Sequence, residues 1–145
     1  MRTTIRGRRA RQRGSVIVET SLIFLVFMAM LIGGFDFAQF LFIHHALVER
    51  TRGAARWGAI QDPTDSLSIT NMILYNQAAT PPAGTPTYFN LSSANVTVTN
   101  SGAGTDDYRL NVQVSGYTYT VLSPYIAGSY TGPSIIVSVP LGLYD

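Results

Sequence analysis

The stretch GSVIVETSLIFLVFMAMLIGGFDFAQFLFI, residues 14–43, is the long apolar run that decides the fold of this chain. Residues 21–35 carry no charge, and Asp36 is the single charged residue between them and Ile43. A run of this length and character predicts a helix that crosses a membrane. From Ser15 to Ile43 such a helix would extend roughly 43 Å, more than the roughly 30 Å hydrocarbon core of a bilayer. We therefore expect it to tilt or to project outside the membrane.

The helical pattern continues beyond the apolar run to about Ile60, because no proline interrupts it before Pro63. Small residues recur along this helix at a spacing of four, which would let a neighbouring helix approach closely. Alanine also simply favours helix, and the pattern fits either explanation. Trp57 is expected either in a belt at the membrane surface or, preferably, in the core of the outer domain. The small residues are Ala29 with Gly33, Gly34 with Ala38, and the group Ala54, Ala55, Gly58 and Ala59.

Positive charge is concentrated at the N-terminus. All ten basic residues are arginines, and six of them lie within the first thirteen positions, against eight acidic residues in the remainder of the chain. Arginines directly before an apolar helix keep that end in the cytoplasm, so we expect the N-terminus inside and the C-terminus outside. This segregation argues against a nucleic-acid partner. The residues that would set the topology are Arg6, Arg8, Arg9, Arg11 and Arg13.

Beyond the helix the sequence predicts a small α+β domain, so that the chain divides into a leader (1–14), the membrane helix with its extension (15–61) and an extracytoplasmic domain (62–145). Asp62 or Thr64 is expected to cap a short second helix that runs from Asp65 to Asn76. Residues 80–86, TPPAGTP, predict a linker, because proline and glycine interrupt regular structure.

Strands are predicted in the last third of the chain. Val96 and Val98 alternate with threonines, and Leu110, Val112 and Val114 alternate with polar residues. An antiparallel sheet of three or four strands packed on the helix is therefore the expected fold. The other predicted parts are a hairpin turn at 101–107, a continuation of the second strand's β-branched and aromatic pattern at 117–122, a Gly/Pro-marked excursion at 123–133 and a last strand at 135–139. The tyrosines Tyr117, Tyr119, Tyr125 and Tyr130 would form either a contact surface or cross-strand pairs.

The basic leader ends at Gly14, and Glu19 is the fifth residue counted from Ser15, directly ahead of the apolar run. This arrangement resembles a type IV prepilin leader, which a membrane aspartyl peptidase cuts on the cytoplasmic side. Over roughly its first 60 residues the chain more closely resembles the TadE-like family of tight-adherence (Tad, or Flp) pilus assembly proteins. The residues that carry this resemblance are Gly14, Val18, Glu19, Gly33, Asp36, Ala54, Ala55, Arg56, Trp57 and Gly58.

The resemblance implies a pseudopilin-like minor component of a Tad pilus or related secretion machine. It further implies cleavage after Gly14 by prepilin peptidase and assembly, through the N-terminal helix, with other pilin-like subunits and Tad assembly proteins. The implied location is the bacterial inner membrane, crossed once, and a place in an extracellular adhesive pilus is compatible with it. Two departures from the family pattern are Thr20-Ser21, where apolar residues or alanine are usual, and the absence of a frequent mid-helix proline.

Two acidic residues lie within the membrane segment. A charged side chain costs about 2.5 to 3.5 kcal/mol at the centre of a membrane helix and less near an end, so Glu19 is expected to have a cationic partner. The amine of a newly exposed Ser15 is the candidate, with a solvated position among lipid headgroups as the alternative. Asp36 lies about 100° around the helix from Glu19. It is therefore expected either to contact a different partner or to lie at the outer interface.

No enzyme is expected, because the extracytoplasmic part contains no histidine, lysine or cysteine and no phosphate-binding loop. His44 and His45 are adjacent and cannot form the i, i+4 pair of a helical metal site, so we expect no metal, cofactor or small-molecule substrate. Two alternatives to the pseudopilin hypothesis stay open. One is an unprocessed, signal-anchored envelope protein with a partner-binding domain; the weaker one is a domain released by signal peptidase.

Overall fold

The computed structural model describes the backbone of residues 6–123 and 127–141 and the side chains of these residues from Gly14 onward. The expected α+β fold is confirmed. Two short 3₁₀ segments, Tyr88–Asn90 and Ser93–Asn95, precede the strands. The helices are α1 (Arg6–Gln61) and α2 (Ser66–Tyr75), and the strands of the described residues are β1 (Val96–Ser101), β2 (Arg109–Val114), β3 (Thr118–Val121), β4 (Gly128–Thr131) and β5 (Ile135–Pro140).

Helix α1 runs for 56 residues without interruption, as expected for a segment that lacks proline. It ends at Gln61, where a tight turn begins. In this turn the Oδ1 atom of Asp62 accepts hydrogen bonds from the hydroxyl of Thr64, at 2.6 Å, and from its backbone N–H, at 2.8 Å. These hydrogen bonds lower the pKa of Asp62 below its ordinary value of 3.8.

Helix α2 is capped by Asp65, and not by Asp62 or Thr64 as the sequence suggested. The carboxylate of Asp65 accepts a hydrogen bond of 3.0 Å from the backbone N–H of Ser68. Asp62 cannot cap the helix, because it precedes the first helical residue, Ser66, by four positions and its carboxylate bonds to Thr64 instead. At the other end Asn76 adopts the left-handed conformation, with φ of 62°, and its N–H bonds to the carbonyl of Met72.

The core lies between the C-terminal part of α1, helix α2 and the central strand β2. The inward side chains of β2 are fully buried, and they are the alternate residues that the sequence pattern indicated. Trp57 lies half-buried at the edge of this core, which agrees with the preferred expectation. The outer part of α1 is thus a structural element of the folded domain. The principal core residues are Leu47, Ala54 and Ala55 of α1, Ile69 and Ile73 of α2, and Leu110, Val112 and Val114 of β2.

The strands form two antiparallel sheets, one with the order β1-β2-β5 and one that pairs β3 with β4. Strand β4 lies within the segment that the sequence indicated as a Gly/Pro-marked excursion. It pairs in register with β3, and the rings of Tyr119 and Tyr130 stack across the two strands with centroids 6.0 Å apart. These two tyrosines form a cross-strand pair, Tyr117 is buried, and Tyr125 lies outside the described residues.

The two sheets are successive parts of one bent hairpin. Val114 pairs with Ile135 and Thr118 pairs with Thr131, so that three residues separate the two pairings on each strand and the register is unchanged. At the bend the N–H of Gly132 donates to the carbonyl of Tyr117 at 2.9 Å. Proline at position 133 has no N–H to continue the ladder. We call β3 and β4 together the β3–β4 ribbon.

Candidate functional site

The N-terminal part of α1 projects from the folded domain, and no other described residue covers it. Its apolar side chains are exposed all around the helix, with exposed fractions of 68% at Val18 and 73% at Met30. Among the described residues, one helix is long and apolar enough to cross a membrane: residues 14–61, with a mean hydropathy of 2.4 in its most apolar window. The uncovered stretch from Gly14 to Phe35 extends roughly 33 Å, close to the roughly 30 Å of a hydrocarbon core. These features indicate a single-pass membrane protein.

Glu19 lies on this uncovered stretch, about one helical turn after Gly14 and Ser15. All three residues are exposed. Within the part of the chain that the structure describes, Glu19 has no hydrogen-bond or ion-pair partner. The described residues therefore supply no cation for this carboxylate.

The described part of the predicted leader, residues 6–14, forms the start of α1, whose helical backbone begins at Arg6. The side chains of the five arginines predicted to set the topology, Arg6, Arg8, Arg9, Arg11 and Arg13, lie outside the described part of the structure.

The small residues of the membrane segment are open to contact by another helix. A Cβ atom placed on Gly33 or Gly34 would meet nothing within 4 Å. Ala29 and Ala38 are likewise exposed. Both small-residue pairs, Ala29 with Gly33 and Gly34 with Ala38, are thus available for close helix packing.

The second group of small residues lies inside the chain's own domain and does not form the surface for a neighbouring helix that its spacing allowed. Ala54 and Ala55 are 3% and 0% exposed, and Gly58 is also buried. They pack against α2 and the sheet of their own chain, so a helix from another subunit cannot reach them. Arg56 remains exposed beside them.

One side of α1 stays uncovered along the folded domain as well. Exposed residues on this side are spaced by four or seven positions, which keeps them on one helical face. An exposed ion pair between Glu49 and Arg52, with 2.9 Å between Oε1 and an Nη atom, lies along it. We call this surface the open face of α1, defined by Gly34, Ala38, His45, Glu49 and Arg56.

Asp36 has its partner within its own chain. Its carboxylate accepts hydrogen bonds from the backbone N–H groups of Leu122, at 2.7 Å, and Ser123, at 3.0 Å. These two residues directly follow β3, and we call Leu122 and Ser123 the tip of the ribbon. Of the two expected roles for Asp36, contact with a separate partner is replaced by this internal contact, which fixes the tip of the ribbon beside the helix.

Two further contacts between α1 and the chain at the start of the β3–β4 ribbon lie on the same side of the helix as Asp36. The rings of Phe40 and Tyr119 lie 5.0 Å apart between centroids, and Nδ1 of His44 lies 2.7 Å from the hydroxyl of Tyr117. Positions 36, 40 and 44 are one turn apart on one helical face, so β3 descends antiparallel to α1 toward the apolar segment. The sequence analysis did not predict this row of contacts, although the four-residue spacing of Asp36, Phe40 and His44 indicated a shared helical face.

Burial raises the pKa of the Tyr117 hydroxyl above its ordinary value of 10.0, and electrostatic repulsion from Tyr119 adds to the shift. The same hydroxyl lies within hydrogen-bond distance of Nδ1 of His44, so the tyrosine positions the imidazole ring. No cluster of three or more histidine, cysteine, aspartate or glutamate side chains occurs among the described residues.

Residues 14–56 match the family model of the TadE-like proteins. The match covers the uncovered part of α1 and most of its extension into the domain, and the resemblance expected from the N-terminal motif is confirmed for this segment. It relates the chain to proteins of the Tad pilus. No curated protein and no solved structure matches the chain.

Proposed function

We propose that this chain is a pseudopilin-like minor component of a Tad pilus or a related secretion machine. Prepilin peptidase would cut it after Gly14, and it would then assemble through α1 with other pilin-like subunits and Tad assembly proteins. The protein would act by packing and not by catalysis.

The observation that carries this proposal is that the carboxylate of Glu19 is exposed and unpaired among the described residues. The residue is exposed on the uncovered membrane helix and lacks a partner within the described chain. A carboxylate near the end of a membrane segment is stabilised by a nearby cation. Cleavage after Gly14 would create one, because the amine of Ser15 lies one turn away at the positive end of the helix. The N-terminal amine of an adjacent subunit would stabilise the Glu19 carboxylate equally well.

The proposed topology places the arginine leader in the cytoplasm and the α+β domain outside the inner membrane. The uncovered stretch from Gly14 to Phe35 has the length that a bilayer requires. The arginine-rich leader precedes it directly, in the position favoured for a cytoplasmic end.

The open face of α1 is the proposed surface for packing between subunits. Its membrane part offers Gly34 and Ala38, where a neighbouring backbone can approach closely. Its outer part offers the exposed charges of Glu49 and Arg56. The described part of the domain lies on the opposite side of the helix and leaves this face exposed.

The first test is the N-terminal sequence and mass of the membrane-extracted protein, produced with and without its matching prepilin peptidase. We expect a start at Ser15 only when the peptidase is present. A start at Met1 in both conditions would favour the alternative of an unprocessed, signal-anchored envelope protein with a partner-binding domain.

The second test compares Glu19→Gln with Asp106→Asn, which removes an exposed carboxylate from the loop between β1 and β2. We expect Glu19→Gln to impair processing or co-purification with other pilin-like subunits, and Asp106→Asn to retain both. Intact processing and complex formation in Glu19→Gln would remove the role assigned to this carboxylate.

Packing on the open face is tested with Gly34→Leu. We expect this variant to be processed normally and to lose co-purification with its partners, because the new side chain keeps the neighbouring helix at a distance. Phe35→Leu is the matched control, since Phe35 is 63% exposed one position away and already bears a large side chain. Equal complex formation by the two variants would exclude close packing at Gly34.

A further inference from the structure

The tip of the β3–β4 ribbon lies beside the membrane part of α1, although the strands themselves belong to the outer domain. Asp36 is the contact point, through its hydrogen bonds to the N–H groups of Leu122 and Ser123. Asp36 lies roughly 32 Å along the helix from Ser15, which is about one bilayer core away from the cytoplasmic end. The tip is therefore at the level of the outer bilayer interface.

The apolar surface of α1 does not stop at this level. Phe37 is 63% exposed and Phe42 is 67% exposed, and both lie farther from the cytoplasmic end than Asp36. Large exposed apolar side chains of this kind are characteristic of surface in contact with lipid or protein. The bilayer interface that covers these phenylalanines would also reach the tip of the ribbon.

Leu122 is the apolar side chain that the tip presents. It is 69% exposed, within the range of the membrane segment, where Leu22 is 64% and Met30 is 73% exposed. No other part of the described chain covers it. An aliphatic side chain so placed gains stability when a lipid surface removes it from water.

The backbone N–H groups of the tip have the internal hydrogen bonds that a site with little water requires. Peptide N–H groups are costly in lipid unless they have an internal hydrogen-bond partner. The N–H groups of Leu122 and Ser123 both have one, and it is the same carboxylate of Asp36. This arrangement also gives the carboxylate two donors at the outer end of the apolar segment.

We infer that the tip of the β3–β4 ribbon inserts into the outer interface of the phospholipid bilayer, with Leu122 at the boundary between headgroups and acyl chains and Asp36 satisfying the tip backbone. The inference rests on the membrane-spanning part of the proposed function. The domain would then be attached to the membrane at two places, the helix and the ribbon, which fixes its orientation relative to the bilayer and to neighbouring subunits.

The absence of cysteine from the chain allows a direct test. The full chain is prepared as three single-cysteine variants, Leu122→Cys, Leu25→Cys and Ile136→Cys, each labelled with an environment-sensitive fluorophore and reconstituted into phosphatidylcholine vesicles. Leu25 reports on the membrane segment. Ile136 is the matched control, because it is an aliphatic residue that is 65% exposed in the other sheet. Quenching is measured with nitroxide-bearing lipids and with aqueous iodide.

We expect the label at position 122 to emit at shorter wavelength than the label at 136 and to be quenched by a nitroxide near the headgroups. The label at 25 should be quenched by a nitroxide deep in the acyl chains, and the label at 136 by iodide. Iodide quenching at 122 with lipid quenching at 25 would overturn the inference and leave the membrane span intact. Protection from both quenchers at 122 would also overturn it, since protein and not lipid would then cover the tip. Loss of lipid quenching at 25 would contradict the membrane span itself.

Discussion

Gly58 of α1 and Ile69 of α2 are in such close contact that a Cβ atom added to Gly58 would lie 2.6 Å from Cδ1 of Ile69. Ile69 is fully buried, and Leu110 lies 3.3 Å from the same Cβ position. Ile69 therefore has little room to move aside. This contact sets the distance between the two helices and makes Gly58 a requirement of the domain core.

Gly58→Ala should destabilise the domain. Overpacking of a core costs about 1 to 3 kcal/mol, and the better helix propensity of alanine offsets about 1 kcal/mol of this cost. The measurement is chemical unfolding of the detergent-solubilised chain. Gly53→Ala is the control on the same helix, because no atom lies within 4 Å of its Cβ position. It should stabilise α1 by up to about 1 kcal/mol. Equal stability of the two variants would refute the packing argument.

Asp36→Asn should loosen the tip of the ribbon without unfolding the domain. One carboxylate oxygen becomes an NH₂ group, so one of the two hydrogen bonds to the tip is lost and a donor faces a donor. We expect faster hydrogen exchange at the amides of Leu122 and Ser123 and unchanged exchange in β2. Asp106→Asn, in the exposed β1–β2 loop, should change neither. Unaltered exchange at the tip in Asp36→Asn would show that other contacts hold it.

Tyr117 should make the domain sensitive to alkali. Burial raises the pKa of its hydroxyl above 10.0, so the folded chain retains this proton when the unfolded chain has lost it. The free energy of unfolding is then unaffected by this group below pH 10 and falls as the pH rises above that value. Denaturation measured between pH 8 and 11 should show the decline.

Tyr117→Phe should remove this part of the alkaline decline. At neutral pH the variant should lose about 1 kcal/mol, because Nδ1 of His44 loses its hydrogen-bond partner. Tyr75→Phe is the control, since the side chain of Tyr75 is only half-buried. A decline above pH 10 that is identical in Tyr117→Phe and the unaltered chain would contradict the assignment to Tyr117.

Asp65 should give α2 an acid-sensitive cap. Hydrogen bonding from Ser68 lowers the pKa of Asp65 below 3.8, so this contribution to stability is present above pH 3.8 and is lost as the pH falls through the lower folded-state value. Asp65→Asn should retain a capping oxygen and lose this pH dependence, whereas Asp65→Ala should fray the first turn of α2 at every pH. Hydrogen exchange of the α2 amides between pH 7 and pH 3 distinguishes these outcomes, and equal protection in Asp65→Ala and the unaltered chain would exclude the cap.

Local sequence patterns correctly predicted the elements that depend only on neighbouring residues. The apolar run and the absence of proline before Pro63 predicted α1 almost to its end at Gln61. The alternation in residues 110–114 predicted both β2 and its buried face. In contrast, β4 was missed, because its short sequence contains Gly128 and gains its pairing from a strand that contacts it only after folding.

The membrane segment and the motif around Glu19 were determined by the sequence alone, because hydropathy and the distance from Gly14 are properties of neighbouring residues. Only the tertiary structure decided which small residues face outward. Gly34 with Ala38 and Ala54 with Gly58 share the same spacing, yet the first pair is exposed and the second is buried by the chain's own domain. The partner of Asp36 was also beyond local inference, since Leu122 lies 86 residues away. Periodicity fixes the direction in which a side chain leaves the helix, whereas its neighbour is fixed by how distant segments pack.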